Sequence, residues 1–399
     1  TICTAFNGSA NKKNSMQKLR AVLGQLGYVL YLLIIVEVLL QILAGLHILP
    51  ALTTISHVPY GRVYFTKENF SSGVMNRYGW YAPAFDLQKP GQRVVIIGDS
   101  FVEAAQVNIE NNFAALLADR LPETHINALG ISGIGPAHYL ELQRYAIQHL
   151  QPDEIVVVTF LGNDFRNLVR EQRKRERAAE IYYDLTTLGE LTLDADSERA
   201  REKFRHRLER NHAPLWSQSG RILASHCLLC KTIETIVGSS IALLTPTTDN
   251  QPPEPTGFMA GIGRDIFSAA PGAATRQSID LYDALFRTMQ SEARQHNIRL
   301  RVVSIPNYPA VFFKSGGEYY GKLQFDGFDL EQPDRYLHRT CRRYNIECHS
   351  LYEQHRRDGL QPTELVRHFF FDGTGHLSEV GHVYMADFLE RILTADNRL

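Results

Sequence analysis

Runs of apolar residues alternate with helix-periodic stretches from residue 94 onward. The runs VVII at 94–97 and IVVVTF at 155–160 show no polar alternation, which is typical of strands covered on both faces. Between them lie the helix-periodic NNFAALLADRL, the short strand HINALG and a second helix-periodic stretch, HYLELQRYAIQHL. This order of strand, helix, strand, helix and strand predicts a right-handed parallel sheet.

The pattern loosens between Arg166 and about Thr275. RNLVREQRKRERAAE is a charge run typical of a solvated helix face, and LLTPTTDNQPPEPTG is typical of a surface loop. IYYDLTTLGELTLD alternates between apolar and polar residues and predicts a small hairpin. We interpret residues 166–275 as an insertion or lid rather than a second domain, because helices and strands resume from Ser278 to Leu393.

A long apolar segment, YVLYLLIIVEVLLQILAGLHIL at residues 28–49, precedes the sheet. Its length is about that needed to cross a bilayer. A buried helix of the folded domain and a signal peptide are the alternatives. A soluble fold has no need of such a helix at its start, and no small-residue cleavage pattern follows this one. We therefore predict a single transmembrane helix.

The charges around this segment predict its orientation. The basic residues that precede it are Lys12, Lys13, Lys18 and Arg20. The next Lys or Arg along the chain is Arg62. By the positive-inside rule, residues 1–27 lie in the cytoplasm, and the chain beyond the helix lies in a periplasmic or extracellular location. In that part we interpret residues 50–92 as a linker and residues 93–399 as the main domain.

Two polar side chains share one face of the predicted transmembrane helix, because Glu37 and Gln41 are four residues apart. Polar groups at that depth usually face protein or water rather than lipid. We therefore predict a membrane-protein partner on the Glu37/Gln41 face. The alternative is a helix that tolerates one protonated acid.

Composition narrows the class of protein further. The 399 residues carry a formal net charge of -1 and include 44% hydrophobic residues, which describes a folded protein and gives no reason to expect a nucleic-acid partner. Among the five cysteines, Cys341 and Cys348 could close a small loop. Cys227 and Cys230 would share one helix face, where we favour packing over a structural bridge, and no second pair is present for zinc.

Polar and glycine residues follow three of the predicted strands, at the carboxyl ends where ligands bind in open α/β sheets. These blocks are Gly98-Asp99-Ser100, Gly130-Ile131-Ser132-Gly133 and Gly162-Asn163-Asp164. The last segment of the chain adds Asp372, His376 and His382. A serine nucleophile needs a base, and the base needs an acid that orients it. The chain offers each of these parts.

We assign Ser100 as the nucleophile, His376 as the base and Asp372 as the acid that holds the imidazole. The tetrahedral intermediate needs hydrogen-bond donors for its oxyanion. The backbone N–H groups of Ser100 and Gly133 and the side-chain amide of Asn163 are predicted to supply them.

Two neighbouring residues have other predicted roles. His376 is preferred over His382 as the base, because His382 lies one turn into the last helix, where capping or packing is expected. Asp99 is predicted to brace the turn that presents Ser100, although Asp and Ser at this place would also suit a simple helix cap.

At these residues the chain resembles the GDSL, or SGNH, hydrolase family, whose second name lists its Ser, Gly, Asn and His. IGDSF, LGISGIG, LGND and DGTGHLSEVGH match its four blocks, and the resemblance covers residues 94–165 and 278–395. It implies a flavodoxin-like, three-layer α/β/α fold with a central parallel sheet. It also implies ester hydrolysis or acyl transfer without a metal or another cofactor.

One spacing departs from the family pattern, which commonly places acid and base as Asp-x-x-His. Here three residues separate Asp372 from His376, and Gly373 and Gly375 could absorb the extra one. The Gly-x-Ser-x-Gly elbow of ordinary α/β-hydrolases is absent, since Ile134 stands where its second glycine would be.

The leading hypothesis is a membrane-tethered, extracytoplasmic serine esterase acting on an acylated small molecule, lipid or polysaccharide. An O-acyltransferase that works with a membrane acyltransferase on a cell-surface polysaccharide would use the same residues. A catalytically idle subunit of a membrane complex is the third alternative, and the intact set of Ser100, Asn163 and His376 argues against it.

Overall fold

The computed structural model describes residues 5–48, 53–65, 68–84, 91–170, 181–234, 261–307, 312–315, 318–322, 329–371 and 375–395. The chain divides into two compact units. The smaller unit holds the N-terminal helix and a segment that begins at Leu223. The larger unit begins at Thr53 and holds the sheets and the helices that pack on them.

The smaller unit is dominated by α1 (Ala5–Gly45). Its 28-residue stretch Lys18–Gly45, in which the most apolar 18 residues have a mean hydropathy of 2.4, is long and apolar enough to cross a membrane. The helix ends at Gly45, short of the predicted boundary at residue 49, and His47 beyond it has a positive φ of 61°.

The Glu37/Gln41 face of α1 is bound by the chain's own backbone. The Glu37 carboxylate accepts the N–H groups of Leu228 at 3.1 Å and Leu229 at 2.7 Å. The Gln41 amide donates to the carbonyl oxygen of His226 at 2.8 Å and to Glu37 at 2.6 Å. Residues 226–229 thus contact this face, and the predicted membrane-protein partner stays a prediction.

The stretch interpreted as a linker, residues 50–92, contains a small antiparallel sheet. Its strands are β1 (Thr54–Ile55), β2 (Arg62–Phe65) and β3 (Ser71–Val74), in that order. Val63, Met75 and Tyr81 form a minor core with Ala105, which follows the first strand of the main sheet. This part of the predicted linker thus forms strands within the larger unit, and the predicted linker boundaries stay a prediction.

The larger unit is built on five parallel strands. They are β4 (Gln92–Gly98), β5 (Thr124–Gly130), β6 (Glu154–Phe160), β9 (Arg299–Ile305) and β12 (Glu347–Ser350). Their order across the sheet is β12-β9-β6-β4-β5. Counted along the chain this is 2-1-3-4-5, the order of flavodoxin-like doubly wound folds. The predicted α/β class with a central parallel sheet is confirmed, and Val94–Ile97 are fully buried as their unbroken apolar run requires.

Helices pack on this sheet in two groups. The first group is α4 (Pro136–His149), α8 (Ala273–Gln295) and α9 (Gln332–Tyr344). The second group is α3 (Phe113–Arg120), α11 (Pro362–Phe369) and α12 (Glu379–Thr394). In the first group α8 contacts both α4 and α9, and in the second group α12 contacts both α3 and α11. Two such groups are expected for the outer layers of an α/β/α sandwich. The short helices are α2 (Ser100–Glu103), α7 (Ile262–Asp265) and α10 (Leu351–Arg357).

The region predicted as an insertion contains the predicted hairpin, formed by β7 (Tyr183–Leu185) and β8 (Leu191–Leu193). Two helices follow, α5 (Glu198–Arg210) and α6 (Leu215–His226). A second hairpin, β10 (Phe312–Ser315) and β11 (Glu318–Lys322), lies after β9. The segment from Leu223 belongs to the smaller unit, so the insertion does not fold with the larger unit alone.

Disulfides join both of the cysteine pairs considered from the sequence. Cys341, near the end of α9, is bonded to Cys348 of β12 and closes the predicted small loop. Cys227 is bonded to Cys230. For this pair the sequence analysis favoured packing of two free thiols, which is wrong, and the alternative of a structural bridge is correct.

Candidate active site

The carboxyl ends of β4, β5 and β6 meet at one edge of the sheet. Gly98 of β4 pairs in register with Gly130 of β5, and β6 pairs with β4 on its other side. Ser100 follows β4, Gly133 follows β5 and Asn163 follows β6. Parallel pairing thus brings three of the predicted blocks to a common edge, where open α/β sheets bind their ligands.

Ser100 begins α2 immediately after β4, and the turn that presents it is held by Asp99. The Asp99 carboxylate accepts the N–H of Phe101 at 3.0 Å, so the capping and bracing roles coincide in one residue. Close approach of α2 to β5 requires glycine at position 130, since a Cβ there would lie 2.0 Å from the nitrogen of Glu103.

Ser100, His376 and Glu68 form a continuous hydrogen-bonded series. The Nε2 atom of His376 lies 2.8 Å from Oγ of Ser100. The Nδ1 atom of the same ring lies 2.8 Å and 3.0 Å from the two carboxylate oxygens of Glu68. The Glu68 side chain is only 4% exposed and that of His376 is 19% exposed. This geometry matches the nucleophile, base and orienting acid of a serine hydrolase.

Glu68 comes from the loop between β2 and β3 of the N-terminal sheet. The small core described above fixes this sheet, and the hydroxyl of Ser71 donates to the carbonyl oxygen of Ala105, just after α2. The acidic residue therefore reaches the site through a sheet that the sequence analysis had taken for a linker. Nothing in the local pattern TKENFSS sets Glu68 apart, so its role could not be predicted from the sequence.

His376 is positioned by backbone contacts just before α12. The carbonyl oxygen of His376 accepts the N–H of Phe371 at 2.7 Å, and Phe370 forms a bridge with Leu377. Asp372, predicted to orient the imidazole, lies outside the described residues, so its assignment stays a prediction. Glu68 makes the two hydrogen bonds to Nδ1 described above.

Asn163 lies beside the nucleophile turn through a contact with Asp99. Its Nδ2 donates to Asp99 Oδ2 at 3.1 Å, and the amide carries a second hydrogen that can serve another acceptor. Burial raises the pKa of the Asp99 carboxyl, while the hydrogen bonds from Phe101 and Asn163 and the nearby His376 oppose that rise. Asn163 is 8% exposed, as suits a residue at the floor of a site.

Asp164 braces the turn that carries Asn163. It accepts hydrogen bonds from the hydroxyl groups of Thr159 at 2.6 Å and Tyr139 at 3.0 Å, and from the N–H of Phe160 at 3.1 Å. Complete burial raises its pKa well above the usual range, and the nearby Asp99 raises it further. Its role is therefore to fix the backbone beneath the site.

Gly133 lies in the exposed loop between β5 and α4 with a φ of 79°. No atom lies within 4 Å of the position a Cβ would take, so the left-handed backbone and not lack of space favours glycine here. Its predicted place in the oxyanion hole stays a prediction.

His382 is held away from the chemistry by its own contacts. Its Nδ1 accepts the N–H of Phe113 at 3.2 Å, and the two rings stack with centroids 5.7 Å apart. Burial lowers the pKa of His382 to about 3, so this ring is neutral at physiological pH. These contacts agree with the packing role that was the reason for preferring His376 as the base.

A further buried carboxylate, Glu103, supports the neighbouring loop and was missed from the sequence. It accepts a hydrogen bond from the hydroxyl of Ser132, and its other oxygen lies 2.6 Å from Nε2 of His57. The side chain of Glu103 is 1% exposed. Since Ser132 precedes Gly133, this contact fixes the loop that is predicted to supply an oxyanion donor.

Comparison with known proteins yields structural similarity at low identity. No family model matches the chain, and no curated protein matches it. Among solved structures, a lipase/acylhydrolase from Enterococcus faecalis is 9% identical with a TM-score of 0.36, covering 76% of this chain and 96% of that one. A GDSL-like lipase from Bacteroides thetaiotaomicron is 10% identical with a TM-score of 0.34, covering 76% and 89%.

A further similar structure is the psychrotrophic esterase EstA from Pseudoalteromonas, 10% identical with a TM-score of 0.33, covering 77% of this chain and 99% of that one. At these TM-scores the superpositions do not establish the chemistry. The strand order and the contacts of Ser100, His376 and Glu68 carry the functional conclusion instead.

Proposed function

We propose that the chain is a serine esterase of the GDSL/SGNH type, anchored in the membrane by α1 and acting outside the cytoplasm. The observation that carries the proposal is the hydrogen-bonded series from Ser100 through His376 to Glu68. The four sequence blocks that resemble this family support it, since three of them follow strands that meet at one edge of the sheet.

Acylation begins when Oγ of Ser100 attacks the ester carbonyl carbon and its proton passes to Nε2 of His376. The resulting imidazolium donates through Nδ1 to Glu68, whose negative charge stabilises it. The same proton then passes from Nε2 to the leaving alkoxide, and the C–O bond breaks to release the alcohol. The acyl group remains bonded to Ser100.

Deacylation repeats these steps with water as the nucleophile. His376 takes a proton from water as the water oxygen attacks the acyl carbon, and then returns it to Oγ of Ser100 as the carboxylic acid leaves. In both tetrahedral intermediates the negative oxygen needs donors. The second amide hydrogen of Asn163 and the N–H groups of Ser100 and Gly133 are assigned that role.

Labelling with a fluorophosphonate, followed by a panel of esters, tests the proposed chemistry. Ser100→Ala is expected to abolish both labelling and turnover. Ser132→Ala tests the alternative nucleophile, because Ser132 is an exposed serine after the neighbouring strand, and this variant is expected to keep its labelling. Labelling that persists in Ser100→Ala and disappears in Ser132→Ala would overturn the assignment of the nucleophile.

The proposed topology rests on the charge asymmetry around α1. A reporter that is active only in an oxidising compartment, fused after Leu399, is expected to be active. A fusion to a reporter that works only in the cytoplasm is expected to be inactive, and activity of that fusion would refute the extracytoplasmic location.

A further inference from the structure

We infer that the chain contacts the membrane a second time. The helix α6 lies in the outer interface with Trp216 and Leu223 against lipid, and residues 223–234 lie in the outer leaflet, where Glu37 of the spanning helix holds them. The inference rests on the proposed membrane anchor and goes beyond it, because one helix alone would leave this segment outside the lipid.

Glu37 lies far enough from the outer end of α1 to be within the hydrocarbon core of the bilayer. Lys18–Gly45 spans 28 residues, or about 42 Å at 1.5 Å per residue, against about 30 Å for the hydrocarbon core. With the core centred on this stretch, Glu37 lies about 7 Å inside its outer boundary, and with the boundary at Gly45 it lies about 12 Å inside. The groups bonded to Glu37 are therefore within the bilayer in both cases.

The contacts follow the same order of depth. Gln41, one turn nearer the outer end of α1, binds the carbonyl oxygen of His226. Glu37, one turn deeper, binds the N–H groups of Leu228 and Leu229. Leu228 and Leu229 are thus bonded one turn deeper along the spanning helix than His226.

The contact of Glu37 with residues 228 and 229 satisfies polar groups on both segments that would be costly in lipid. Residues 228–234 are helical, and the first N–H groups of a helix have no partner within it. In hydrocarbon an unpaired N–H and an unpaired carboxylate are both costly. Glu37 places its acceptors on those N–H groups, at the helix end where negative charge is favoured. A polar residue in the spanning helix is thereby explained without a second protein.

The outward side chains of this region are those of a membrane interface. On α6, Trp216 is 80% exposed and Leu223, two turns later on the same side of the helix, is 72% exposed. Ile233 is 52% exposed. Tryptophan is enriched where a membrane meets water, and a helix with such a face lies in the interface plane. Lipid is therefore the occupant we assign to this surface.

Two further features agree with an outer-leaflet location. The Cys227–Cys230 disulfide closes the turn that Glu37 caps, and disulfides persist in oxidising compartments. The charges of Lys231 and Glu234 compensate each other through an ion pair of 2.8 Å. The long stem of a lysine can also carry its ammonium group to the headgroup layer.

Tryptophan fluorescence tests the lipid contact directly, because the chain has only two tryptophans. Trp216 is exposed and Trp80 is 2% exposed in the larger unit. The full-length protein is reconstituted in phosphatidylcholine vesicles with and without brominated acyl chains. Quenching by bromine is expected in the parent protein and lost in Trp216→Phe, where Trp80 alone remains. Equal quenching of the parent and Trp216→Phe would overturn the inference.

The role of Glu37 is tested by trypsin cleavage after Lys231 in the same vesicles. Cleavage is expected to be slow in the parent, fast in Glu37→Leu, and intermediate in Glu37→Gln, which keeps one acceptor oxygen. Resistance to carbonate extraction checks that α1 still spans the membrane in each variant. Unchanged cleavage in Glu37→Leu would contradict the anchoring role.

Both measurements work equally in a Ser100→Ala background, since neither needs ester chemistry. A failed esterase assay therefore leaves this inference standing, and absence of lipid quenching leaves the proposed catalytic site standing.

Discussion

The imidazole of His376 is hydrogen-bonded through Nδ1 to both carboxylate oxygens of Glu68, a residue 308 positions earlier in the chain. Glu68→Gln keeps the size of the side chain but removes the charge and favours the wrong imidazole tautomer. We expect kcat to fall by about 10²–10⁴-fold with little change in KM, measured on the best ester of the panel.

Asp372→Asn is the matched comparison for this prediction, because Asp372 was the acid expected from the sequence. It is expected to keep kcat within about threefold of the parent, if Glu68 alone orients the ring. Full activity of Glu68→Gln together with a large loss in Asp372→Asn would return the role to Asp372.

Asn163→Ala should remove a donor to charge that appears only in the transition state. We expect kcat to fall by about 10²–10³-fold while KM is nearly unchanged. The structure adds a second effect, because the buried Asp99 carboxylate also loses a donor and stability should fall. Activity must therefore be expressed per folded molecule, with thermal unfolding measured alongside. If folded Asn163→Ala retains kcat within about threefold, the oxyanion role is wrong.

The Cys341–Cys348 disulfide joins the end of α9 to β12 of the central sheet. For so short a loop, chain entropy gives about 2.5 kcal/mol of stability. The double variant Cys341→Ser/Cys348→Ser should therefore unfold several degrees below the parent under oxidising conditions. The two proteins should unfold at the same temperature in reductant, and a gap that survives reduction would point to packing rather than the bond.

His382 predicts a specific acid sensitivity. Its pKa is about 3 in the folded protein against an ordinary value of 6.5, because burial disfavours the charged ring. Between these values the unfolded chain binds one more proton at this residue, so its contribution to stability is lost as pH falls from 6.5 toward 3.

His382→Gln should remove up to about 1.4 kcal/mol per pH unit from the slope of unfolding free energy in that window. Denaturant unfolding at a series of pH values measures the slope. His296→Gln is the control, because the side chain of His296 is exposed on the surface, and it should leave the curve unchanged. An unaltered slope in His382→Gln would show that other groups cause the acid sensitivity.

The central sheet was predictable because its strands are buried on both faces, so Val94–Ile97 and their counterparts read as unbroken apolar runs. The helices α3 and α4 were predictable from their periodic apolar positions, and their observed ends lie within a few residues of those expected. Ser100, Gly133 and Asn163 could be placed together in advance because the carboxyl ends of neighbouring parallel strands converge, whereas His376 was assigned because a serine nucleophile needs a base.

Contacts between distant segments could not be predicted in this way. The N-terminal strands are only two to four residues long and SSGV has no apolar alternation, so their stability comes from packing against Ala105. Glu68 is one acidic residue among 43 in the chain, and only the tertiary fold distinguishes it. The contact of Glu37 with residues 228–229 depends likewise on segments nearly two hundred positions apart.

Glu68 precedes the main sheet and His376 precedes the last helix, so these two hydrogen-bonded residues lie near opposite ends of the sequence of the larger unit. During synthesis Glu68 is made early and His376 near the end. A chain that stops before residue 376 therefore lacks the complete series of Ser100, His376 and Glu68. A soluble fragment cut at residue 93, where sequence alone would place the domain boundary, would retain Ser100 and His376 and lack the carboxylate. We expect such a fragment to be a poor surrogate for the proposed esterase even if it folded, whereas a cut at residue 53 would keep Glu68, Ser100 and His376 in one fragment.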